Sequence, residues 1–108
     1  MQLIVFTVWD QKAKLHLSPF FMRSVPEAVR SITDLVRDPE HTFHKHSEDY
    51  MLVQIGKYSE ESGLITSEKM PIPLVRLKQL HSIAESEREV EGLVNGESPE
   101  EVEQAAHP

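Results

Sequence analysis

Three histidines, His41, His44 and His46, fall within six positions of one another and are followed at once by Glu48 and Asp49. Imidazole with carboxylate suits zinc, nickel or copper, but the order H-x-x-H-x-H matches neither established spacing by which a helix offers ligands to zinc. The segment therefore reads as a polar loop that gains charge as pH falls through about 6.5, with no metal and no other cofactor expected. Catalysis finds no better footing. The chain has no cysteine, no glycine-rich phosphate loop and no nucleophile elbow. The neighbouring carboxylates Glu48/Asp49 and Glu60/Glu61 sit in polar stretches where water keeps both members ionised. A non-enzymatic protein without catalytic residues is the expectation.

The basic residues offer a different chemistry. Arg23, Arg30 and Arg37 recur every seven positions, so on a helix each lies within about 20° of the last, forming a row that could track phosphates. Lys12 and Lys14 could extend that surface. Against this, Glu27 and Asp34 each stand three residues before an arginine and could neutralise Arg30 and Arg37 along the helix. Tyr58 next to Lys57 offers an aromatic ring beside a cation, a corner on which an unpaired base could stack. Among the other aromatics, Trp9, Phe20, Phe21, Phe43 and Tyr50, burial is expected above all for Phe20, Phe21 and Tyr50. The candidate nucleic-acid contacts are thus Lys12, Lys14, Arg23, Arg30, Arg37, Lys57 and Tyr58.

The elements that must hold these residues follow from the hydropathy pattern. LIVFTVW, residues 3–9, is β-branched and aromatic on both faces and reads as a central strand. The stretch KLHL alternates and makes a short second strand ending near Pro19. Ser24 and Glu27 form a capping box around an early Pro26, and Val25, Ala28, Val29, Ile32, Leu35 and Val36 then recur at helical spacing until Asp38 and Pro39 end the helix. Residues 40–49 are a polar connection. YMLVQIGKY and GLIT read as a hairpin of strands three and four. After Pro71 and Pro73, Leu74, Leu77, Leu80 and Ala84 announce a second helix. The expected fold is α+β: an antiparallel sheet of about four strands in β-β-α-β-β order, one principal helix on one face, then a C-terminal helix and tail.

Charge divides the chain in the same way. Residues 1–81 hold ten acids and ten Lys/Arg, whereas residues 82–108 hold eight glutamates and only Arg88, and so carry the entire net charge of −7. The expected organisation is a globular domain over 1–81 and an acidic, partly disordered helix and tail over 82–108. The apolar opening MQLIVFTVW has strand length and no basic leader, so neither a signal peptide nor a membrane span is expected, and an intracellular, soluble protein is.

The ordered segments VFTVWDQKA, LSPFF, AVRSITDLVRDPEHTF, SEDYMLVQIGKYSEESGLI and MPIPL resemble the small nonstructural DNA-binding protein of gokushovirus-type microviruses. The shared pattern is an aromatic in strand one before Asp-x-Lys, a Pro-Phe-Phe, a helix ending before Asp-Pro, and Glu-Asp-Tyr leading a strand to Ile-Gly. It spans about residues 1–80. Ser47 departs from the proline common at that place in the family, which loosens the turn before the strand.

The resemblance implies a nonstructural phage protein acting in the host cytoplasm. There it would bind DNA, single-stranded above all, during viral DNA replication or the switch to single-strand synthesis and packaging. A neutral body implies modest affinity per subunit, so a homo-oligomer is expected. The competing expectation is an interaction adaptor for phage or host replication and capsid proteins, with no direct DNA contact.

Overall fold

A computed structural model of the chain describes residues 1–94, apart from the side chains of residues 89 and 91–94. The elements in chain order are β1 (Gln2–Asp10), β2 (Leu15–His16), β3 (Phe20–Met22), α1 (Val25–Arg37), α2 (Thr42–Lys45), a 3-10 turn (Ser47–Asp49), β4 (Tyr50–Ser59), β5 (Ile65–Arg76) and α3 (Leu77–Val94). All strand pairs are antiparallel in the order β2-β1-β4-β5, and β3 joins the edge of β1 that β2 also uses. β1 is therefore central, as its two apolar faces predict.

α1 starts as the sequence dictates. The Ser24 hydroxyl accepts from the Glu27 amide at 3.3 Å, while the Glu27 carboxylate reaches back to the Arg23 amide at 3.1 Å, closing the cap one residue wider than the usual box. Its buried stripe of Ala28, Ile32 and Val36 meets Phe6 and Val8 from β1, Leu52 from β4, Phe43 from α2, and Leu77 and Leu80 from α3. That cluster is the core. The helical layer thus draws on α3 as well as α1, where one principal helix was expected.

Other expectations are corrected. The sheet has five strands, because Phe20–Met22 pairs with Ile4–Phe6 as β3. The second strand is only Leu15–His16. The last strand runs on to Arg76, through Pro71 and Pro73, and delays the second helix to Leu77. Proline is tolerated there because β5 is the edge strand and, among the described residues, has no outer neighbour to which an N–H must donate. The pairing also slips: Gln54 faces Ile72 whereas Gly56 faces Ser67, so residues 68–71 bow out beside the prolines. Residues 40–49, expected as a polar connection, contain α2, held down by the buried Phe43.

Sequence division at residue 81 falls inside α3, which continues as one helix to Val94; the acidic tail expected beyond it lies outside the described residues. Among the described residues no helix is long and apolar enough to cross a membrane.

Candidate nucleic-acid interface

The helices cover only one side of the sheet. Alternation along β1 sends Ile4, Phe6 and Val8 to the helical layer and therefore Leu3, Val5, Thr7 and Trp9 to the opposite face. Strand register extends that face sideways, since directly paired residues share a side. Trp9 stands between His16 and Met51, and Met51 beside Arg76. Val5 stands between Phe21 and Gly56, and Tyr58 between Leu3 and Ile65. No helix among the described residues packs on this side.

Two aromatic pairs stand on it. The Trp9 and His16 rings lie 4.6 Å apart between centroids, and the Phe21 and Tyr58 rings meet edge to face at 5.7 Å. Phe21 retains 41% of its accessible surface and Ile65 58%, so this face is solvent-exposed where β3 and β5 contribute apolar groups to it. Between the pairs the floor is small and closed, made by Val5, Thr7 and Val53, each buried. The Thr7 hydroxyl is satisfied by donating to the Leu17 carbonyl at 2.5 Å. With a rise of about 3.3 Å per residue, the four-to-six-residue separation along β1 places the two pairs roughly 13–20 Å apart. A β-bulge between Val5 and Phe6 leaves Ile55 unpaired, which lets Gly56 rather than Ile55 occupy the face beside Val5.

Gly56 has a packing reason to be glycine. A Cβ there would lie 2.6 Å from the Thr66 carbonyl oxygen, so β4 and β5 approach more closely than any side chain allows.

The sequence-derived contacts divide between the two layers. Tyr58 lies on the open face. Lys12 and Lys14 occupy the turn from β1 to β2, next to the Trp9–His16 pair. The Asp10 carboxylate fixes that turn by accepting from the Lys12 and Ala13 amides at 3.0 Å each, and Lys14 takes a left-handed φ of 57°. Both lysines are exposed. Lys57 pairs with Ile4 and points to the helical side.

The arginine row fares differently. Arg23 sits at the far end of the sheet, 3.7 Å from the Glu60 carboxylate. Arg37 pairs with Glu87 of α3. Neither Glu27 nor Asp34 forms an ion pair along the helix among the described residues; the partners come from other elements. Arg30 is exposed on α1, in the layer away from the open face. The seven residues thus do not form one surface: Lys12, Lys14 and Tyr58 belong to the open face and its rim, and Arg23, Arg30, Arg37 and Lys57 do not.

Sequence reasoning missed Trp9, His16, Phe21, Met51 and Arg76 as members of one face. Phe21, expected in the core, is exposed because β3 is a strand and turns it opposite to the half-buried Phe20. The signal was available only in pairs: the tight turn after Asp10 brings His16 back to Trp9, and Phe21 follows two residues after proline.

The histidines do structural work in the helical layer. His41 caps α2, its Nδ1 accepting from the Phe43 amide at 3.0 Å. His44 Nδ1 lies 2.8 Å from the Val36 carbonyl, and its ring packs at a tilt against His81 of α3, 4.7 Å between centroids. These roles pull the two rings away from His46. The ligand-capable group that does converge is His46, Glu48 and Asp49, with donor atoms within 4.8 Å of one another, at the exposed start of β4. Tyr50 follows them, packed on Phe43 at 4.9 Å. Its hydroxyl pKa is raised first by burial and then by the carboxylates of Asp10 and Asp49.

Chemically, the open face offers π-surfaces at two stations, cationic groups at its Trp9 end (Lys12, Lys14, Arg76), and a floor too tight for large groups. A duplex keeps its base faces inside the stack; a single strand can lay them on such rings. Neither a curated protein nor a solved structure matches this chain. A family model described as phage ORF5 protein matches residues 3–82, which span all of the sheet but Gln2 and include both aromatic pairs. The chain therefore belongs to the phage ORF5 protein family.

Proposed function

We propose that this phage protein binds single-stranded DNA on the open face of its sheet, without catalysing a reaction. The observation that carries the reading is the pairing of Trp9 with His16 and Phe21 with Tyr58 on a face no described helix covers, with Lys12, Lys14 and Arg76 at one end. Bases stack on the rings and phosphates meet the cations. The likeness to the DNA-binding protein of gokushovirus-type microviruses supports DNA as the ligand. It also supports a role in the host cytoplasm during genome replication or the switch to single-strand synthesis. Two stations and three cations give modest affinity per subunit, in keeping with several copies along one strand.

This reading replaces the row of Arg23, Arg30 and Arg37 as the principal contact, since Arg23 and Arg37 each face a carboxylate. The test is binding of matched single- and double-stranded oligonucleotides across a salt series. With about three phosphate contacts, log affinity for single strands falls against log salt with a slope near −2. Undetectable single-strand binding at low salt would leave the adaptor role, with the apolar face taking a protein partner.

A further inference from the structure

Two turns meet at the end of the sheet that carries Asp10. One links β1 to β2, the other is the 3-10 turn Ser47–Asp49, and the Gln11 amide joins them by donating to the Asp49 carbonyl at 2.8 Å. Between them lies a cleft of about 400 Å³ lined by Asp10, Lys12, Ala13, His46, Asp49 and Tyr50. The Asp49 amide donates to the His46 carbonyl at 2.9 Å. Side chains three apart on such a turn eclipse one another, so the imidazole and the carboxylate stand on one side. Ser47 between them is buried, whereas Glu48 is exposed. The donor atoms of His46, Glu48 and Asp49 all lie within 4.8 Å of one another.

We propose that His46, Glu48 and Asp49 form a site for a divalent transition ion of the zinc type, which pins the turn leading into β4. The carboxylates are free to take it. Among the described residues the ion pairs engage Glu60, Glu61 and Glu87, and neither Glu48 nor Asp49. Two donors that share an ion at about 2.0–2.2 Å sit roughly 3–4 Å apart, so turning these side chains by about an ångström closes the set. Their chemistry selects the ion. Magnesium and calcium take oxygen ligands, whereas an imidazole beside carboxylates suits zinc, and three protein ligands leave a position for water. Of the three clustered histidines only His46 takes part. His41 Nδ1 accepts from the Phe43 amide and His44 Nδ1 is bound to the Val36 carbonyl.

None of the three ligands belongs to the open sheet face, so the inference stands or falls independently of nucleic-acid binding. The ligands converge only where the turn is formed. The ion therefore binds the folded chain in preference to the unfolded one and stabilises it by mass action.

The test is calorimetric titration of the full chain, free of any affinity tag, with zinc chloride and separately with magnesium chloride. Thermal unfolding followed by circular dichroism, with and without zinc, is the second readout. The expected result is one zinc ion bound per chain, no magnesium bound at the same concentrations, and a Tm that rises with zinc. H46A, E48Q and D49N each weaken zinc binding by about tenfold or more and remove the rise in Tm, while their spectra without zinc stay those of the folded chain. H41A, equal to H46A in sequence terms, changes zinc affinity little. Absence of zinc binding, affinity unchanged in any of H46A, E48Q and D49N, a loss in H41A as large as that in H46A, or a Tm indifferent to zinc would overturn the proposal.

Discussion

The Trp9 indole and the His16 imidazole lie 4.6 Å apart between ring centroids, side by side across the first two strands. They stand on the sheet face opposite the core. The four-residue connection that creates this pair also carries Lys12 and Lys14, held in place by the Asp10 carboxylate. One local turn thus builds a ring surface and a cationic rim together.

If bases stack at this station, W9A weakens single-strand binding by about 1–3 kcal/mol, roughly fivefold or more, and Y58A at the second station does likewise. Trp9 and Tyr58 are both half-buried outside the core cluster, so their loss leaves the fold intact. The contrasting variants R30A and R37A on α1 change affinity less than threefold. Titrating each variant with one oligonucleotide at one salt concentration checks the pattern.

The Arg37–Glu87 pair joins two side chains that are each about half exposed, 48% and 56%. Solvent screens such a contact, so R37A and E87A each cost no more than about 1 kcal/mol. Urea denaturation of the two variants and their double mutant measures it. The core behaves otherwise: Phe6 and Leu52 are fully buried, and L52A costs about 2–5 kcal/mol.

G56A inserts a methyl group 2.6 Å from the Thr66 carbonyl oxygen. Both neighbours are backbone in paired strands, so β5 must shift, at about 1–3 kcal/mol. The denaturation midpoint falls. Because β5 carries Arg76 and Ile65 at the rim of the open face, single-strand affinity falls with it.

Tyr50 gives a pH dependence with a definite sign. Burial, and then Asp10 and Asp49, raise its pKa in the folded chain, so the native state keeps the phenol proton more tightly than the unfolded state does. Its contribution is fully present below pH about 10 and is lost as pH rises through the folded value. Stability measured by denaturation therefore falls more steeply above pH 10 in the wild type than in Y50F.

Local chemistry made much of this legible. Ser24, Pro26 and Glu27 announce α1, and the residues at its buried stripe are those of its helical period. β5 was hidden because prolines at 71 and 73 argue against a strand, and only its place at the sheet edge, a tertiary fact, makes them harmless. The candidate site was half visible for a related reason. The seven-residue spacing of Arg23, Arg30 and Arg37 is a local signal, but the carboxylates that answer Arg23 and Arg37 lie 37 and 50 positions away. Nor does any sequence period tell that the side of β1 bearing Trp9 is the one left open. Both faces are apolar, and the choice is made by where α1 and α3 pack.

The most direct test is amide and indole chemical-shift mapping of the isotope-labelled full chain with a short single-stranded oligonucleotide at low salt. With single strands bound on the open face, the largest shifts fall on the Trp9 indole N–H and on the amides of His16, Phe21, Met51, Tyr58 and Arg76, with α1 nearly silent. Shifts centred on Arg30 and Arg37, or a spectrum unchanged at saturating oligonucleotide, would contradict it.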